Sequence, residues 1–173
     1  MFDRGKIVVG SILLVALAMA AFAWSWNYNR GRKSMDFWGR DAAVLIRQAP
    51  QVELWRLAGD NDSQAEVERI TAGGMSLAVV ERTDISQAQG LLHARFALTE
   101  DASFDFSESK PANKPRWDYA VRFTRDGHAA TVLFDFTNSR VGIAEQDRTA
   151  RAVPKIIAGW QQFVARHVAE SKS

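Results

Sequence analysis

Asp118 and Asp135 are the residues whose types and spacing first suggest chemistry in this chain. They bracket two alternating apolar runs joined by Asp126-Gly127, a strong signal for a two-residue hairpin turn. That turn sets a register in which Tyr119 faces Phe134, Val121 faces Val132 and Phe123 faces Ala130, so Asp118 faces Asp135 on the other side of the ribbon. Two facing carboxylates repel, and a single proton or cation relieves both, which makes such pairs raw material for acid/base dyads and metal sites. The competing expectation is a solvated face on which Arg116 or Arg122 neutralises the pair. The histidines are His93, His128 and His167. His128 falls in the hairpin turn, His167 continues the apolar stripe of the last helix, and His93 lies in a predicted helix beside core positions. His93 is therefore the histidine to set beside the two aspartates. Asp60-Asn61-Asp62 with Glu66 and Glu68 approximates a calcium loop, but Ala65 stands where glycine is needed and Thr71 where the bidentate glutamate belongs.

The absence of cysteine excludes thiol catalysis, Cys-ligated zinc and iron–sulfur clusters. The sequence contains no nucleophile elbow and no phosphate-cradling glycine motif. No cofactor or metal is implied, and the catalytic candidates reduce to Asp118, Asp135 and His93.

The elements that must position these residues are read from periodicity. Met35, Trp38, Ala42, Leu45, Ile46 and Ala49 recur at helical spacing and Pro50 stops them, predicting one juxtamembrane helix over 34–49. Strands are expected over 51–58, 66–71 and 75–82, the last two joined at Gly73-Gly74. A helix capped by Asp84 is expected over 85–99, then a loop over 100–115, the hairpin 117–136, a short strand 141–144 and a helix over about 149–169. This order predicts an α+β fold: an N-terminal transmembrane helix, then an antiparallel sheet of about five to six strands covered by two to three helices.

Ile7 to Trp26 is uncharged, and twenty helical residues span about 30 Å, the thickness of a bilayer's hydrocarbon core. Trp24, Trp26 and Tyr28 stand at its end, where amphipathic rings favour the headgroup layer, and Arg30, Arg32 and Lys33 follow as a basic collar. A secretory signal cleaved after Ala21-Phe22-Ala23 is the rival reading, and the aromatic and basic flank favours a retained anchor. Ala16 and Ala20 form a small-xxx-small pair able to seat another helix. The chain therefore divides into a tail, anchor and flank over 1–33, a juxtamembrane helix over 34–50 and a soluble α+β domain over 51–173. A short basic tail ahead of the first apolar run points to a cytoplasmic N-terminus in the cell's inner membrane, with the domain on the periplasmic side.

Charge excludes one partner class. Residues 1–33 hold 5 of the 22 Lys and Arg and 1 of the 20 Asp and Glu, which leaves 17 basic against 19 acidic residues beyond them. The domain is formally −2 and its charges alternate in sign, so it lacks the basic stripe that nucleic acid requires.

Tyr119-Ala-Val-Arg-Phe123, the Asp126-Gly127 turn, Val132-Leu-Phe-Asp-Phe136 and the preceding Leu98-Thr-Glu-Asp-Ala-Ser-Phe104 resemble a hairpin and helix end shared by uncharacterised bacterial domains. The resemblance covers about 50 residues and implies no activity. Where those domains often carry cysteines on the return strand, this chain has Asp135 and Thr137. The sequence thus points first to a single-pass membrane protein whose domain binds or scaffolds another membrane or membrane-associated protein, as an accessory subunit of a larger complex. Phe37, Trp38 and Arg40 on the juxtamembrane helix, with Ala16 and Ala20, are the candidate partner contacts. Two alternatives stand beside it: a membrane-tethered hydrolase or metal-dependent enzyme using Asp118 and Asp135, and a small-molecule or lipid-binding module.

Overall fold

The computed structural model describes residues 4–29, 32–58, 68–107, 114–146 and 148–170. Arg30, the Asp60-Asn61-Asp62 turn and Glu66 lie outside them, as does the side chain of Tyr28. Helix α1 (Arg4–Asn29) contains the apolar span Val8–Trp26, none of which is buried against the rest of the chain. It is long and apolar enough to cross a bilayer.

Beyond it come α2 (Arg32–Trp38), α3 (Arg40–Gln48), β1 (Gln51–Ala58), β2 (Arg69–Ala72), β3 (Met75–Asp84), α4 (Leu91–Leu98), β4 (Phe104–Asp105), β5 (Tyr119–Arg125), β6 (His128–Asp135), β7 (Arg140–Ile143), β8 (Arg148–Ala152) and α5 (Pro154–Glu170). The fold is α+β, and among the described residues eight strands form one antiparallel sheet in the order β2-β3-β1-β5-β6-β7-β8-β4. That is two or three strands more than the sequence pattern predicts.

The extra strands are short, and one of them replaces predicted helix. Arg148–Ala152 was expected to open the last helix, but Ala150 and Ala152 alternate inward while the segment pairs with β7 and β4. The helix starts only at Pro154, whose missing amide proton costs nothing in a first turn. The helix expected over 85–99 shortens in the same way. Asp84 does not cap it: its carboxylate closes a tight turn with the Ser86 amide (2.8 Å) and hydroxyl (2.6 Å), while the Ile85 amide still bonds to Val52 in β1. Gly90, at φ 91°, then starts α4. Gly39, at φ 77°, likewise splits the single helix expected over 34–49 into α2 and α3.

The hairpin forms in the expected register, with Tyr119 opposite Phe134, Val121 opposite Val132 and Phe123 opposite Ala130. Those side chains point to the face covered by the helices after the anchor. There Val52, Leu54, Phe123 and Phe134 meet Trp38, Ile46, Leu98 and Trp160 in the main core. Burying side chains of this size stabilises by roughly 1.5–3 kcal/mol each. The opposite face, expected to be solvated, carries a second and smaller apolar cluster of Trp55, Leu57, Ala72, Leu77, Val79, Trp117, Ala120 and Leu133.

Candidate functional site

Asp118 and Asp135 lie on that second face, at the open end of the hairpin, and alternation dictates the placement. Tyr119 and Phe134 face the helices, so the residues next to them, Asp118 and Asp135, face away. The Asp118 amide donates to Phe134 O at 2.9 Å, and Asp118 Oδ2 accepts the Phe136 amide at 3.1 Å, extending the ladder past β5.

The two carboxylates differ in their surroundings. Asp135 has no exposed surface. Its Oδ2 accepts the Arg116 amide at 2.8 Å and the Asn138 side-chain amide at 2.7 Å, while its Oδ1 accepts the Asn138 backbone amide at 2.9 Å. Three donors on one buried carboxylate fasten the approach to β5 and the reversal from β6 to β7 onto each other. Asp118 is half-buried, with the Arg116 guanidinium 3.7 Å from its Oδ1. Partial burial raises the Asp118 pKa above the usual aspartate value, and the negative charge of Asp135 adds to the rise. The Phe136 amide and Arg116 oppose it. Of the two expected neutralising partners, Arg116 is therefore in place. Arg122 instead lies over Trp55, 5.0 Å from its ring, with Arg82 at 4.9 Å from the same ring.

His93 does not join the aspartates. It is exposed on α4, and α4 packs Leu91 and Leu98 into the core on the other face of the sheet. His128 is exposed at the start of β6, and His167 is buried against Phe163 in α5. Among the described residues no group of three or more His, Cys, Asp or Glu is arranged to hold a metal.

A pocket of about 480 Å³ opens beside Asp118, lined by Leu57, Ala58, Met75, Leu77, Pro115, Arg116 and Trp117. It lies against a break in register between Arg56 and Leu57, where β1 runs past β3. A larger groove of about 810 Å³ runs between α3 and the tip of the β5–β6 hairpin, with Val44, Leu45, Ala130 and Ile143 along it, Arg40, Asp41, Arg125, Asp126 and Glu145 among its charged residues, and His128 beside them.

The anchor and its flank are placed as follows. Ala16 and Ala20 are exposed on α1, as are Trp24 and Trp26, with the Phe22 and Trp26 rings stacked at 6.2 Å. Arg32 and Lys33 are exposed on α2, and Arg40 is exposed at the start of α3. Trp38 corrects the expectation of a partner-facing residue, because it has no exposed surface. Its indole N–H donates to Leu98 O, and its ring lies edge-on to Phe37 and Phe104. Phe37 is half-buried in the same aromatic cluster.

One residue that periodicity could not have flagged is Asp101, in a short 3-10 turn after α4. Its carboxylate accepts the Ser34 amide (2.7 Å), the Ser34 hydroxyl (2.9 Å) and the Lys33 amide (3.2 Å), capping α2 from 67 residues away. Arg95 does the same for the end of α3, donating to Ala49 O at 2.8 Å and Arg47 O at 3.3 Å. The first helices after the anchor are thereby fixed to the domain.

No known family model matches the chain, and no curated protein or solved structure matches it either.

Proposed function

We propose that this protein is a single-pass membrane protein of the inner membrane whose α+β domain, on the periplasmic side, is an interaction module for another membrane protein and serves as an accessory subunit of a larger complex. One observation carries the reading. The apolar span Val8–Trp26 stands wholly outside the fold, while the helices that follow it are capped and packed into the domain. An apolar helix that contributes nothing to its own core requires another apolar environment. Only residues 30 and 31 separate α1 from the capped α2, so the domain is tethered close to the end of the anchor.

The partner contacts that remain open are the Ala16 and Ala20 face in the bilayer and the exposed side chain of Arg40. Replacing Ala16 with phenylalanine blocks close helix approach and is expected to abolish recovery of the partner in a native detergent extract, with the protein itself still in the membrane. Unchanged recovery, or recovery of no stoichiometric partner by the unaltered chain, overturns the proposal.

A second reading, a small-ligand binder, is favoured by the pocket beside Trp117 and Asp118. Its Asp118 carboxyl, more easily protonated than usual, and Arg116 offer polar anchor points beside the apolar side chains of Leu57, Met75, Leu77 and Trp117. The same pocket is where an enzymatic role for Asp118 would have to reside, without His93.

A further inference from the structure

Outside α1, five large apolar side chains are exposed among the described residues: Met35, Val44, Val80, Leu92 and Phe96. Only Val80 is on the sheet; the other four are on α2, α3 and α4, the helices that follow the anchor or are bonded to those that do. Chance scatter over a domain surface would not concentrate them there.

Leu92 and Phe96 are the most exposed of the five, at 63% and 50%. They are four residues apart, which places them one above the other on a helix. They form the outward side of α4, since Leu91 and Leu98 face the core and Arg95 turns to the end of α3. Helix α5 shows the contrast: its exposed positions are Pro154, lysine, arginine, glutamine, glycine and alanine.

The position of α4 is set by bonds to α2. Trp38 reaches Leu98 O, and Asp101, three residues past Leu98, holds Lys33 and Ser34. Only residues 30 and 31 separate α1 from α2, so at most about 11 Å of chain lies between their ends. Phe96 is two helical residues before Leu98, about 3 Å of axial rise. The C-terminal end of α4, with Phe96 one half-turn before it, is thus bonded to a helix that begins within about 11 Å of chain from the end of the anchor.

We infer that the bilayer surface itself covers this side: Leu92 and Phe96, with Met35 of α2, insert into the interfacial layer and hold the domain flat on the membrane that anchors it. This rests on the membrane-anchor reading of α1. A helix with an apolar outward side beside a lipid surface gains the same burial that a core would give it.

The lack of any cysteine in the chain allows a direct test. Full-length protein carrying Leu14→Cys, Val80→Cys, Leu92→Cys or Phe96→Cys is nitroxide-labelled and placed in phosphatidylcholine nanodiscs. Collision with oxygen is then compared with collision with a water-soluble nickel chelate. The inference expects labels at 92 and 96 to favour oxygen, less strongly than the label at 14, while the label at 80 favours the chelate. Labels at 92 and 96 that match the one at 80 overturn it, and so does spin–spin broadening at these sites, which would show a second copy of the chain as the cover. An aqueous label at 14 overturns the anchor reading together with this one. A lipid-exposed label at 14 with aqueous labels at 92 and 96 overturns this one alone.

Discussion

Replacing each aspartate of the facing pair with asparagine separates a reactive dyad from a structural clamp. Asp135 accepts three hydrogen bonds with no surface exposed. Asparagine keeps one oxygen; at the Oδ2 position it retains the bonds from Arg116 and the Asn138 side chain, but its NH2 then opposes the Asn138 amide, donor against donor. One bond to a charged acceptor, about 1.5–3 kcal/mol, is lost, and the other two weaken with a neutral acceptor. Asp135→Asn is therefore expected to cost about 2–4 kcal/mol, or about 4–16 °C in Tm for a chain of this size. Asp118→Asn keeps an oxygen for the Phe136 amide and loses a 3.7 Å pairing with a guanidinium that is 83% exposed, worth less than about 1 kcal/mol. It also removes a charge disfavoured by burial and by Asp135. Because the folded-state pKa of Asp118 is raised, its contribution to stability is full below the ordinary value near 3.8 and is lost as pH rises through the folded value. The asparagine variant should thus match or exceed the parent near neutral pH, and any advantage should vanish in acid. Thermal unfolding of the detergent-solubilised full chain across pH reads both effects. A neutral or stabilising Asp135→Asn would show that mutual repulsion, not donor satisfaction, governs the pair, and would refute the clamp.

Other perturbations follow from single contacts. A methyl group added at Gly142 would sit 2.7 Å from Trp117 Cη2 and 3.1 Å from Arg148 O, so Gly142→Ala should cost about 1–3 kcal/mol in denaturant unfolding. The loss should shrink in a Trp117→Leu background; an equal loss there would place the strain elsewhere. Asp101→Ala removes all three bonds holding the start of α2 and should destabilise by about 1–2 kcal/mol while speeding hydrogen exchange at the Lys33 and Ser34 amides. Unaltered exchange at those two amides would show that the start of α2 is not held by Asp101.

The hairpin was legible because every signal for it is local. The Asp126-Gly127 turn fixes the register, and strict alternation fixes the faces, so the Asp118 and Asp135 pairing followed from counting. What was not legible depends on partners distant in sequence. Arg148–Ala152 contains one threonine, two arginines and two alanines, a composition as acceptable to a helix as to a strand, and it is a strand because β7 and β4 supply its bonds. The stripe over 85–99 mixes a turn with a helix, since Ile85 and Ala88 reach apolar surroundings without helical backbone. Asp135 reads as a reactive carboxylate in isolation and as a clamp only once Arg116 and Asn138 are seen to donate to it. Trp38 stood both in the apolar stripe of a helix and among the candidate partner contacts, and periodicity cannot choose between them, because Phe104 and Leu98, which enclose it, lie more than fifty residues on.

Extraction of membranes with alkaline carbonate, followed by the intact mass of the protein that remains, tests the central claim most directly. The account predicts a chain that stays in the pellet with a mass that includes the apolar segment Val8–Trp26. A chain found in the supernatant, shortened to begin near Trp24, would contradict it.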